Sequence, residues 1–319
     1  TYYNTISLST MIGNGSSGSA WAGVHIDNAS SYNTITQSSM RGVEHGVIIT
    51  NSGTGACIGN LISQSTITSN SAGYSALFIT NASSNTILDS YIQGSTATLI
   101  YASTGTVIGD SVLIATNTVG NAIGATNGIV NLTVTSSTLK GGANGAGLYM
   151  ARGNSGIITL TSNTITGGLY GVWIATMNCG NCNGNLSITS MTFSGGLTAG
   201  ATAIHFSGGK FTSTFTTVGF NDANIAVNVN GIYLDSASTI TMRSDSGAKT
   251  SALYENDFAD PNGVIDWPDT PPPPICNGVL GVVKTVGKSG GTYDFTTIQA
   301  AVNSATGTVM LNSNWCINI

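Results

Sequence analysis

Five side chains near the start of the chain, His25, Asp27, Arg41, Glu44 and His45, are of types that move protons. Two carboxylates and two imidazoles could do general acid–base work if the fold gathers them within hydrogen-bond reach. Their surroundings argue for the plainer role of solvated surface charge. Residues 1–242 hold only six acidic side chains, Asp27, Glu44, Asp89, Asp110, Asp222 and Asp235, and these are scattered along the sequence. A second group, Glu255, Asp257, Asp260, Asn262, Asp266 and Asp269 around Gly263, supplies the oxygen ligands that calcium prefers. It misses the EF-hand spacing because Phe258 falls at the first ligand position, and a solvated acidic turn accounts for it. Nucleophile elbows and phosphate-binding loops are absent from the sequence. No catalytic residue, metal ligand or cofactor is therefore expected.

The five cysteines, Cys57, Cys179, Cys182, Cys276 and Cys316, are odd in number, so at least one is unpaired within the chain. Cys179 and Cys182 have CxxC spacing, but no second Cys/His pair completes a zinc site. Cys179, Cys182, Cys276 and Cys316 are read as structural disulfide candidates or plain thiols, with Cys276 and Cys316 placed to join across the C-terminal segment.

The elements that would position these residues follow a repeated phrase. One strand type is Asn-Thr-Ile-like: Asn4-Thr5-Ile6, Asn33-Thr34-Ile35, Asn60-Leu61-Ile62 and Asn85-Thr86-Ile87. Short apolar returns follow, as in Ser65-Thr66-Ile67 and Ser90-Tyr91-Ile92. A second strand type is Gly-Val-x-Ile-like and runs from Val24-His25-Ile26 to Ile232-Tyr233-Leu234. Copies recur roughly every 22 to 32 residues, the period of a solenoid coil. Alternation puts residues i and i+2 on one face, and such short strands need coil-on-coil stacking to pair their edges. Helical periodicity is missing over useful lengths. The sequence predicts an all-β, right-handed parallel β-helix of about nine to ten coils. The recurring asparagines at the strand entries are expected to stack as amide ladders.

The outward letter of the second strand type reads His25, Ile48, Phe78, Ile100, Gly124, Tyr149, Trp173, His205 and Tyr233. A solvated face would carry polar residues here. An apolar and aromatic stripe instead points to a covered or binding surface: a loop of the same chain, a neighbouring chain in a fibre, or a sugar stacked on the rings.

Composition narrows the partners. Charged residues are 7% and apolar residues 41% of the 319, with a net charge of −5 and only eight Lys and Arg. That gives no basic patch for nucleic acid, and no run of apolar residues is long enough to span a membrane. The first residues, Thr1-Tyr2-Tyr3-Asn4, show no signal-peptide pattern, which suits a mature product or a segment of something longer. Asn14, Asn28, Asn81, Asn131 and Asn185 head glycosylation sequons.

Three regions are expected: a solenoid over 1–242, a closing segment and linker over 243–275 that includes Pro271–Pro274, and a strand–helix–strand module over 276–319. In that module Ile298, Ala301 and Val302 share one face of a helix over 296–305.

The coils resemble the parallel β-helix repeats of the pectin-lyase-like superfamily. The stretch Asn256-Asp257-Phe258 to Ile265-Asp266 is similar to the closing segment of bacterial surface β-helix proteins. Val283–Ala305, with Tyr293-Asp294-Phe295-Thr296-Thr297-Ile298, resembles the N-terminal cap of the same superfamily, as in pectin methylesterases. The resemblance implies a fold and not a chemistry. The superfamily's uronate lyases use carboxylates with calcium and a basic residue, and its glycosidases use clustered Asp; the esterase signatures are missing beyond the cap. A cap lying at the end of the chain implies a unit that caps its neighbour head to tail. The expected function is a non-enzymatic, extracellular or cell-surface structural protein, partnered by copies of itself and by glycans. A carbohydrate-active enzyme or a sugar-binding adhesin module is the alternative.

Overall fold

A computed structural model describes residues 2–15, 21–53, 55, 57–127, 131–151, 156–175, 183–189, 191–193, 202–216, 219–220, 230–243, 264–266, 308–311 and 315–318; beyond residue 175, side chains are described only at Met191, Ile204 and His205. Three short strands make each coil. Thr5–Ser7, Thr10–Gly13 and Ala22–Ile26 form the first, and Thr34–Thr36, Ser39–Gly42 and His45–Thr50 form the second. Strands in equivalent places pair in parallel from coil to coil, giving three faces. Among the described residues the second face alone counts nine stacked strands. The expected right-handed parallel β-helix is the fold of this chain.

Register makes the core. On the first face Ile6, Ile35, Ile62, Ile87 and Ile108 are successive partners. On the second, Met40, Ile67, Ile92, Leu113, Leu139 and Ile165 follow one another. The third adds Ile49, Ile79 and Ile100. From Met40 onward all of these are fully buried, as is Ile62 on the first face. Each such side chain contributes about 1.5–3 kcal/mol on burial. No Asp, Glu, Lys or Arg is among the described buried side chains.

Two polar columns turn the corners. Among the described residues, the residue between the first and second faces is left-handed in seven successive coils: Leu8, Gln37, Gln64, Asp89, Asp110, Ser136 and Ser162, with φ between 48° and 56°. Such a conformation costs a side-chain-bearing residue about 1–2 kcal/mol. A serine follows the first six and Asn163 the seventh, and their hydrogen bonds offset that cost. Ser38 Oγ donates to the Thr36 carbonyl at 2.8 Å and accepts the Ser9 N–H at 3.1 Å. Ser65, Ser90, Ser111 and Ser137 repeat the arrangement, and Asn163 Oδ1 ends the column by accepting the Ser137 N–H at 2.9 Å.

The asparagine ladder forms at the entry to the first face. Asn4 Nδ2 donates to Asn33 Oδ1 at 2.8 Å, Asn33 Nδ2 to Asn60 Oδ1 at 3.0 Å, and Asn60 Nδ2 to Asn85 Oδ1 at 3.0 Å. Asn131 stands apart from it, its Oδ1 accepting the Ile157 N–H at 2.8 Å. The difference follows from the residue that succeeds Asn85 in the stack, which is Thr106 and not an amide.

The strands Thr202–Thr216 and Asn230–Arg243 each run through the third and first faces, their mutual register shifting between Ser207 and Gly209, and Val264–Asp266 pairs with Thr239–Thr241. The chain divides into two compact units, residues 1–266 and 267–319. In the second unit Thr308–Leu311 pairs antiparallel with Trp315–Asn318, which contains Cys316. The proline run, the cap-helix residues Ile298, Ala301 and Val302, and Cys179, Cys182 and Cys276 lie outside the described residues. So does the acidic group apart from the Asp266 backbone.

Candidate binding face

The third face carries one outward column. His25, Ile48, Phe78, Leu99, Gly124, Tyr149, Trp173, His205 and Tyr233 are register partners in unbroken succession. Ile100 does not belong to it, contrary to the expectation from sequence. Thr98 pairs with Leu77 and Ile100 with Ile79, so Ile100 is fully buried and Leu99 holds the outward place. A one-residue shift exchanges the two faces of a strand. Thr98, a polar side chain taken inward, displaced the apparent apolar-x-apolar pattern by one.

The column is half-covered. Phe78, Leu99, Tyr149 and Trp173 are half-buried, while Ile48 is buried. The cover comes partly from side chains at the strand entries. The His45 ring stacks on Phe78 with centroids 5.3 Å apart, and Tyr74 meets His45 edge-on at 5.3 Å. Higher up, Tyr149 and Tyr170 each lie 4.7 Å from Trp173, and Tyr170 meets His205 at 4.8 Å. Two aromatic groups result, separated by Gly124, which breaks the ring sequence.

The lower group encloses a shallow hollow of about 300 Å³ lined by Trp21, Glu44, His45, Ile48, Thr50, Tyr74, Phe78 and Thr80. Three coils build it. The Glu44 N–H donates to the Trp21 carbonyl at 3.2 Å, and the Glu44 carbonyl accepts from Ser69 Oγ. Gly42 permits this close approach, since a Cβ there would collide with the carbonyl oxygens of His45 and Trp21. His45 Nδ1 donates to the Ser75 carbonyl at 2.6 Å, an acceptor that leaves Nδ1 as the protonated nitrogen. Burial lowers the His45 pKa below its ordinary value, against the opposing pull of the Ser75 carbonyl and Glu44.

The five residues with acid–base potential are not brought together. Arg41 points outward from the second face, in register with Ile12 and Thr68. His45 turns its Nδ1 to Ser75, whereas His25 Nε2 sits 4.0 Å from Asp27. Asp27 works as a turn clamp between coils. It accepts from the Asn28 N–H at 2.6 Å, the Ser52 N–H at 3.0 Å and Ser52 Oγ at 2.6 Å. Partial desolvation pushes its pKa up, but these donors and His25 together hold it below the ordinary value. Cys57 is a buried free thiol whose Sγ donates to the Ser30 carbonyl at 3.1 Å. Burial raises its pKa. Among the described residues no three His, Cys, Asp or Glu cluster as a metal site.

Sequence reading missed Trp21, Tyr74 and Tyr170. They lie in or beside the strand entries and outside the strand phrase. A signal was available in Tyr74 and Trp21, large rings placed one residue before the strands Ser75–Thr80 and Ala22–Ile26.

A stacked, three-faced parallel solenoid is the class of protein that this fold defines. The family described as right handed beta helix region matches residues 22–183, just over half of the chain, and the chain belongs to that family. Membership agrees with the resemblance to the pectin-lyase-like superfamily. No curated protein matches the chain.

Proposed function

We propose that this chain is a structural, non-enzymatic unit of an extracellular or cell-surface fibre that lengthens by stacking solenoid on solenoid. The observation that supports this reading is the stacking itself. Strands in equivalent places pair in parallel from coil to coil, and Ile35, Ile62, Ile87 and Ile108 repeat one apolar letter at each step. A contact that adds one coil to the next can add one unit to the next, and a head-to-tail contact that does not close grows as a filament. The C-terminal module over 276–319 is the element proposed to cap the first coil of the next unit, where Ile6 lies on the first face. Exposed Asn28 and Asn81, both in sequons, are suited to carry glycans.

A sugar-binding adhesin is the second reading, favoured by the tilted Tyr149–Trp173 pair on the third face. Negative-stain microscopy of the native material separates the readings. Fibres one solenoid wide support the proposal. Isolated compact particles that cleave polysaccharide contradict it.

A further inference from the structure

The hollow on the third face has a consistent electrostatic character. Its walls are the rings of Trp21, His45, Tyr74 and Phe78 over a floor of Ile48, and Glu44 stands among them. His45 and Phe78 stack one face on each other and Tyr74 stands edge-on to His45, which leaves the remaining ring surfaces to a guest; an aromatic face carries negative charge. Glu44 is half-buried, and among the described residues its carboxylate has no hydrogen-bond or ion-pair partner. Among the described residues no Lys or Arg lines the space. The His45 ring adds no competing cation near neutral pH, because burial favours its uncharged form. A partly desolvated carboxylate beside several ring faces favours a cation with an apolar skin over a strongly hydrated metal ion.

We propose that the Trp21–Glu44–His45–Tyr74–Phe78 hollow is an aromatic cage that binds a small soluble quaternary ammonium ion of the choline type. The rings contact the methyl groups and Glu44 supplies the counter-charge. The about 300 Å³ of space is ample for a trimethylammonium group. This site is independent of lengthwise assembly, since its lining residues, from Trp21 to Thr80, come from the first three coils.

The test is calorimetric titration of the full chain with choline chloride, set beside its uncharged isostere 3,3-dimethyl-1-butanol, with tetramethylammonium chloride as a second cation. The expected result is saturable binding of both cations, at least ~10-fold stronger than the alcohol. Glu44→Gln and Tyr74→Leu should each weaken choline by about 10-fold, whereas Tyr91→Leu, exposed on the second face, leaves it unchanged. Tyr74 is 40% exposed, so its replacement tests the cage without emptying the core. Equal binding of alcohol and cation would overturn the proposal in favour of a merely apolar hollow. Binding of a monosaccharide in place of choline would overturn it in favour of a sugar subsite.

Discussion

Ile6 and Ile35 are register partners on adjacent coils, yet Ile6 is 36% exposed and Ile35 only 1%. The same residue type in the same place thus differs only in whether a coil lies above it. Ile62→Ala, in the interior of this column, should cost about 2–5 kcal/mol, because it empties a site closed on both sides. Ile6→Ala in the dissociated chain should cost well under half as much. Thermal or denaturant unfolding of both variants checks the contrast, and equal losses would show that the first coil is already covered.

Asn60 is the hub of its ladder. It accepts from the Asn33 N–H and Nδ2 at 3.0 Å each and donates to Asn85 Oδ1. Asn60→Ala strands the buried Asn33 donors, and each unsatisfied group costs about 1–3 kcal/mol. We expect a loss of about 3 kcal/mol and faster amide exchange at Asn33. Asn131→Ala, at an exposed site outside the ladder, should lose about 1 kcal/mol or less.

The left-handed corners make an opposite prediction. Gln64 sits at φ 49°, where glycine is free of the Cβ penalty and β-branched residues are worst placed. Gln64→Val should lower the unfolding midpoint, and Gln64→Gly should leave it within about 1 kcal/mol of the parent. Urea unfolding of the pair reads the difference, and a Val variant as stable as the Gly one would argue against strain at the corner.

Stability should fall as pH drops below about 6.5, the unfolded-state value for histidine. Burial lowers the folded His45 pKa, so the unfolded chain takes up the proton first and is favoured across the window down to the folded value. His45→Gln should flatten this limb, as followed by thermal unfolding from pH 7.5 to 5. Asp27 acts in the same direction at lower pH. Its folded pKa is also depressed, so its contribution is complete above about 3.9 and lost as pH falls through the folded value.

Most of the scaffold was legible because β-helix cores repeat the same letter in the same place. The Ile35–Ile62–Ile87 column and the asparagine ladder follow from the Asn-Thr-Ile phrase alone. The strand Thr96–Tyr101 misled because Leu99-Ile100-Tyr101 looks like an alternating triplet, while the coil above and below fixes Thr98 and Ile100 inward. Single-strand alternation holds no information about its neighbours' register. The serine column was visible as the first letter of each return, but its meaning needs the left-handed residue before it. The aromatic hollow was illegible for another reason. Trp21, Glu44 and Tyr74 are brought together by three different coils, and their sequence separations match no motif.

Sedimentation velocity of the full chain and of Ile6→Asp, across a concentration series, tests lengthwise assembly most directly. The parent should form a ladder of larger species that grows with concentration. Ile6→Asp should remain a monomer with an unchanged β-rich circular dichroism spectrum. A parent that stays monomeric at every concentration, or an Ile6→Asp variant that assembles equally well, would contradict the account.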